Sequence, residues 1–306
     1  MTLDKRRFGP LALARAVASA SIAVLAMSAP AAAQAQATVP VKIYAQELVD
    51  RTAAQHPDLR AVVMHLTPPK AAGNVIIAST IGRIGKPGDA DDLDVIANGR
   101  TRVEMDRGNK RIEVELPLRD VGGETIGALG LVWRDQVGGN HEEFVRTANA
   151  IRDALARRIL NVANLMDPYP YQPLVTTKSR AQALVDEALL NHPEVTVLAV
   201  RARTGPLNEL TLLGSNFGRH GKKADADDLK VLDSASPTTG VYSNGKRFGI
   251  DLVLRDRAGV VIGTMNVGYA YREGADTQPL LAQAAALRSE LQARIGAAPK
   301  LDELDP

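Results

Sequence analysis

Two stretches of this chain set a guanidinium and an ammonium three residues apart on a glycine-bearing loop, then follow them with a cluster of aspartates. Gly82-Arg83-Ile84-Gly85-Lys86-Pro87-Gly88-Asp89-Ala90-Asp91-Asp92-Leu93 returns as Gly218-Arg219-His220-Gly221-Lys222-Lys223-Ala224-Asp225-Ala226-Asp227-Asp228-Leu229. Glycine lets a backbone approach an anion closely, and arginine grips a carboxylate or phosphate with two parallel hydrogen bonds. The helix that follows turns its positive end to the same place. Arg83 with Lys86, and Arg219 with Lys222, are therefore candidate holders of a small anion. Three readings stay open for the block. In the first, Asp89, Asp92, Asp225 and Asp228 are helix caps, worth about 1 kcal/mol per cap and ~0.3–1 kcal/mol per acid through the helix dipole. The basic residues then simply balance them. In the second, the loop holds a ligand. In the third it holds a metal, which a calcium loop would do with ligands spread over about twelve positions and a closing bidentate Glu. Neither copy has that spread, and no metal and no cofactor is expected.

A second set of candidates lies in the strands. His65 and Arg201 occupy equivalent places in the first strand of each copy, and a titratable side chain in an apolar strand needs a partner or a polar cavity. If both line pockets, the two pockets prefer different ligands; the competing reading points them to solvent or to a structural partner. Ser79 and Ser215, at the ends of the second strands, add a hydroxyl to the same candidate site. His56 and His192 read as helix ends beside proline. Lys110-Arg111 and Lys246-Arg247 read as solvated residues after hairpin turns, and Trp133 reads as core. There is no Gly-x-Ser-x-Gly elbow, His-Glu-x-x-His, P-loop or dinucleotide fingerprint. The chain reads as a binding protein and not an enzyme.

The elements that must position these residues are duplicated too. An offset of 136 residues (218 − 82) also relates Gln46 to Gln182, His56-Pro57 to His192-Pro193, Arg119-Asp120 to Arg255-Asp256, Ile126-Gly127 to Ile262-Gly263 and Ile159 to Ile295. So long a period is a domain duplication, since solenoid repeats run about 20–50 residues. In the first copy, apolar residues at helical spacing predict a helix over Tyr44 to Gln55, ended by His56-Pro57. Strands follow at Ala61 to Leu66 and Asn74 to Thr80, then a short helix at Asp89 to Ala97. Three more strands run Thr101 to Asp106, Arg111 to Arg119 and Thr125 to Trp133, joined by glycine turns. Ile112, Val114 and Leu116 alternate with Glu113 and Glu115, which gives that strand one buried and one wet face. His141 to Leu160 closes the module as an amphipathic helix. The expected organisation is a signal peptide over 1–37, modules over 40–164 and 178–297, a stiff Pro-rich linker over 165–177 and a loose tail over 298–306.

Lys5-Arg6-Arg7, the apolar run from Leu11 to Met27 and the small residues up to Ala37 read as that signal peptide, cleaved after Ala33, Ala35 or Ala37. A membrane anchor fits less well, because Arg15 interrupts the run and the remainder is short of the ~20 residues of a span. Arg6-Arg7 leaves twin-arginine export as a minor alternative. The expected location is the periplasm. The absence of cysteine removes disulfides and thiolate chemistry. A net charge of +2 and 4% aromatic residues argue against nucleic-acid binding.

The element order resembles the PAS-like extracellular sensor fold of the Cache (PDC) family. So does the final strand pair, Ile112-Glu-Val-Glu-Leu-Pro-Leu-Arg-Asp-Val-Gly-Gly-Glu-Thr-Ile-Gly-Ala-Leu-Gly-Leu131, repeated from Ile250 to Met265. The resemblance implies an α+β fold of two tandem modules. Each would have a five-stranded antiparallel sheet, a long N-terminal helix, a short inserted helix and a C-terminal helix. It implies a sensor-like protein that binds a small molecule, expected to be anionic, between sheet and loop. The alternative is a periplasmic interaction module that packs on a membrane sensor or transporter and takes no small ligand.

Overall fold

The structure, a computed structural model, describes residues 41–106, 108, 110–134, 141–204, 207–296 and 300–304. The signal-peptide segment lies outside them. The first module runs α1 (Tyr44–Gln55), β1 (Leu59–Leu66), β2 (Val75–Ser79), α2 (Ala90–Asn98), β3 (Arg102–Asp106), β4 (Arg111–Arg119), β5 (Thr125–Arg134), α3 (His141–Ala156) and α4 (Val162–Leu165). The second runs α5 (Arg180–Asn191), β6 (Val195–Thr204), β7 (Glu209–Ser215), α6 (Ala226–Ser234), β8 (Thr238–Tyr242), β9 (Arg247–Arg255), β10 (Val261–Ala270) and α7 (Gln278–Arg294). Each holds one five-stranded antiparallel sheet, ordered β2-β1-β5-β4-β3 and β7-β6-β10-β9-β8. These are two α+β, PAS-like modules.

Strand alternation decides which face each helix covers. Val62, Met64 and Leu66 point one way and join Leu48, Leu116, Leu131 and Ile151 in a core under α1 and α3. Ala61 and Val63 point the other way, into a small cluster with Ile76 and Val132. His65 shares that second face and meets Asp92 at the start of α2. The first strand therefore has an apolar side for the core and a second side toward the inserted helix. The repeated Ile-Gly pair has a steric cause. A Cβ on Gly127 would lie 2.1 Å from the His65 carbonyl oxygen, and one on Gly263 would lie 1.8 Å from that of Arg201. Only glycine admits the neighbouring strand there.

The structure differs from expectation at the module ends. The closing helix α3 stops at Ala156, and the chain turns into α4. It then returns to the start of α1, where Tyr44 N–H donates to the Asp167 carbonyl at 2.8 Å and Tyr169 N–H to the Lys42 carbonyl at 2.7 Å. The second module repeats this: Arg180 N–H donates to the Glu303 carbonyl at 2.9 Å and Ala181 N–H to that of Leu301 at 3.0 Å. The tail expected to be loose is thus docked over 300–304. First-turn N–H groups of a helix have no intrahelical acceptor, and Ile43 makes no side-chain cap, so returning carbonyls fill the need. Leu165 and Leu301 are buried by the same turn-back, which stabilises by about 1.5–3 kcal/mol for each leucine. Residues from Val41 onward form one unit.

Candidate functional site

The face of the second sheet under α6 is hollowed into a cleft of about 220 Å³. Arg201 (β6), Arg219 and Lys222 (the loop before α6), Arg247 and Asp251 (β9) and Asn266 (β10) line it. Arg201 Nε lies 3.0 Å from Asp228 Oδ2, and both side chains are about nine-tenths buried. The contact is an ion pair off the line of a hydrogen bond, and Arg201 Nη1 and Arg247 Nη1 have no hydrogen-bond partner among the described residues. Asn266 donates to Asp251 Oδ1 at 2.6 Å. Burial pushes the Asp251 carboxyl up, with the Asn266 hydrogen bond pulling against it. Burial likewise raises the Asp228 carboxyl against the pull of Arg201, and burial lowers the Arg247 guanidinium.

Asp225 and Asp228 form a capping box at the start of α6, and Asp89 and Asp92 form the same box at α2. In both boxes the second aspartate does two jobs: it caps, and it faces the strand residue, His65 or Arg201. Neither Arg83 nor Lys86 is paired with its cap, and both are exposed.

The two Gly-Arg-x-Gly loops share one backbone but not one environment. φ is +76°, +66° and +85° at Gly82, Arg83 and Gly85, and +72°, +64° and +83° at Gly218, Arg219 and Gly221. The first loop stands in solvent, with Ile81 49% and Ile84 58% exposed. The second is pressed against the first module. Phe217 is 6% exposed and packs with Val121 and Leu160. Arg219 Nε pairs with Asp167 Oδ2 at 2.5 Å, and Asn164 Nδ2 donates to the Phe217 carbonyl at 3.0 Å. Arg219 therefore has its acid in the linker, one module away. Ser215 donates to the Gly218 carbonyl at 2.5 Å and turns away from Arg201, towards a separate cavity between the modules. Ser79 accepts from Ile81 N–H at 3.1 Å, a local turn contact.

The equivalent face of the first module carries a different charge set. His65 Nδ1 is 3.2 Å from Asp92 Oδ2. Burial lowers the imidazole, against the pull of Asp92. Glu115, on β4 of the same sheet, is pushed up to about 7 by burial and by Asp92, Glu113 and Asp89, and its Oε2 has no hydrogen-bond partner among the described residues.

Neither a protein-family model nor a curated protein matches the chain. Among solved structures it is similar to the DhaR(N)–DhaL complex of E. coli, at 12% identity over 74% of this chain and 84% of that one, with a TM-score of 0.28. It is similar to PelD 158-CT of Pseudomonas aeruginosa PAO1 at 17% identity over 84% and 78%, TM-score 0.27. The periplasmic domain of RsbU from Chlamydia trachomatis gives 7% over 81% and 80%, TM-score 0.24. Overlaps this low transfer no ligand, partner or activity.

Of the residues singled out in the sequence, the structure brings Arg201, Arg219 and Lys222 to one cleft and leaves Arg83, Lys86, Ser79 and Ser215 outside it. Lys246-Arg247, expected in solvent, divides. Lys246 pairs with Glu124 of the first module, and Arg247 folds back over Tyr242, 5.3 Å from the ring centroid. Arg247, Gly249 and Asp251 sit two apart on one strand and so share a face, a signal the alternation of β9 carried. Gly268 adds room: a Cβ there would come within 3.3 Å of Arg247 Cδ. Among the described residues no cluster of three His, Asp or Glu side chains is placed to hold a metal. No described helix is long and apolar enough to cross a membrane.

Proposed function

We propose that this is an exported, sensor-like binding protein that takes a small anionic metabolite in the cleft of its second module. The observation that carries the reading is the pair of arginines, Arg201 and Arg247, with Nη1 groups lacking acceptors beside Lys222. A buried donor left unsatisfied costs about 1–3 kcal/mol, and a carboxylate or phosphate offers the acceptor. Asp251 and Asn266, on the same sheet, suit a ligand that also bears a donor group. Arg219 serves this site indirectly, since its guanidinium is committed to Asp167.

The test is a thermal-shift screen of the chain against small carboxylates, amino acids and phosphates, repeated with Arg247→Ala. A ligand at a hundred times its dissociation constant stabilises by about 2.7 kcal/mol. One chemical class should raise the melting temperature, and Arg247→Ala should abolish the shift with the unliganded melt nearly unchanged. A flat screen, or one in which every shift survives Arg247→Ala, sinks the reading.

A second reading, an interaction module for a membrane sensor or transporter, is favoured by the exposed first loop. Ile81 and Ile84 stand out beside Arg83 and Lys86, where the matching loop of the second module is covered by protein. Site-specific photo-crosslinking from position 84 in membranes should then capture one partner; no capture removes this reading.

A further inference from the structure

A second cavity, of about 410 Å³, lies where the two modules meet. Arg51, Arg158 and Tyr169 face it from the first module, and Lys178, Gln182 and His220 from the second. Its two carboxylates are already engaged. Glu47 takes Lys42 at 2.6 Å and Arg51 at 2.5 Å, and Asp186 accepts from Gln182 Nε2 at 3.0 Å. Neither Arg158 nor Lys178 has a carboxylate partner among the described residues. Two cations contributed by different modules thus line one polar cavity.

Behind them the side chains are tied to one another by hydrogen bonds. Gln182 Oε1 accepts from Ser215 N–H at 2.9 Å and lies 2.7 Å from His220 Nε2. Because that oxygen only accepts, Nε2 carries the imidazole proton. Burial, with Arg51 adding to it, pushes His220 down to about 4, so the ring is uncharged at neutral pH. Arg51 is held by Tyr169, donating to its hydroxyl at 2.7 Å. The cationic edge of the cavity is therefore set by Arg158 and Lys178.

We propose that this cavity binds a small multivalent anion of the phosphate or polycarboxylate class, bridging Arg158 of one module and Lys178 of the other and clamping the two together. The site is separate from the cleft of the second module, but one loop serves both. Gly218 and His220 face the cavity, while Arg219 and Lys222 face the cleft. Occupancy of the cavity would hold that loop in the conformation the cleft requires.

Isothermal titration of the chain with citrate, and separately with inorganic phosphate, tests the site. At least one should bind. The double variant Arg158→Ala/Lys178→Ala should weaken it at least tenfold, and Lys178→Ala alone, at an exposed position that does not endanger folding, several-fold. Arg247→Ala should leave it unchanged. Whichever probe binds names the source of the anion. Binding of neither overturns the proposal, as does wild-type affinity in both cavity variants. Loss in Arg247→Ala instead places the anion in the cleft, which overturns this site and leaves the cleft reading standing.

Discussion

The sheet face under α6 and the matching face under α2 differ at most of the positions that point into them. Where the second module has Arg201, Gly249, Asp251, Asn266 and Gly268, the first has His65, Glu113, Glu115, Gly130 and Val132. One set offers an arginine, an amide-held aspartate and the space of two glycines. The other sets two glutamates on the face that holds an imidazole and puts a glutamate and a valine where the glycines stood. The frame around them does not differ: strand order, capping box and loop backbone are the same in both. Duplication has kept the frame and changed the residues on the sheet face under the inserted helix. Asp92 and Asp228 show how both demands are met at once, because each is fixed by its cap and takes whatever partner the strand presents.

The largest effect that separates the faces is the loss of that partner. Arg201→Met leaves Asp228, about nine-tenths buried, without its cation, and breaking a buried pair on one side costs about 3–5 kcal/mol. His65→Leu removes a neutral ring from Asp92 and should cost only about 1 kcal/mol. Denaturant unfolding of the two variants checks the ranking. Equal losses would mean that His65 is charged in the native protein and the faces are more alike than their residues.

The loops give the next contrast. Phe217→Ala empties a contact between modules and should destabilise by about 3 kcal/mol. Ile81→Ala, at the same place in the repeat but half exposed, should stay within about 0.5 kcal/mol. A large loss at Ile81 would mean that the first loop is covered in solution.

Why one loop is docked and its twin is not was beyond the reach of sequence periodicity. The repeat, the two-residue alternation of β4 and the Asp-x-x-Asp signature announce sheets and caps, because those depend on neighbours in the chain. Docking depends on Val121, Leu160 and Asp167, which are distant from Phe217 and Arg219 and carry no shared pattern. The same holds for the tail, where Leu301 and Glu303 supply backbone carbonyls to α5, a role any residue type can fill. Arg247 was legible in principle. Its spacing to Asp251 put both on one face, but its place after a turn suggested solvent.

A symmetric loss is expected where the frame is shared. Asp89→Ala and Asp225→Ala each remove the side-chain acceptor of a capping box, and each should cost about 1 kcal/mol. Thermal unfolding of both variants checks the equality. If Asp225→Ala costs clearly more, that aspartate also holds Arg201 and Lys222, and the second box belongs to the binding site as well as to the helix.

The smallest expected effect is the pH dependence that Glu115 gives the first module. Glu115 titrates at about 7 in the native protein, against about 4.3 for an unperturbed glutamate in the unfolded chain. Below pH 4 both states hold the proton and nothing is lost. As pH rises from there to 7, the unfolded chain releases its proton while the native one keeps it, so stability falls with pH. His65 works in the opposite sense. Burial lowers its native value, so the unfolded chain takes a proton first as pH drops through about 6.5, and stability falls with acidity. The two slopes offset each other in the wild-type protein. Glu115→Gln removes one of them, so its gain over wild type should be greatest at pH 8, shrink by pH 5 and vanish near pH 4. Solvent reaches part of the carboxyl and screens it, which keeps the effect below the other three. The matching Asp251→Asn change in the second module meets no histidine, and denaturant midpoints of both variants at pH 5 and pH 8 tell the faces apart. A gain for Glu115→Gln that does not vary with pH would mean that its carboxyl is already ionised in the native protein, and the charge contrast between the modules would lose its acidic half.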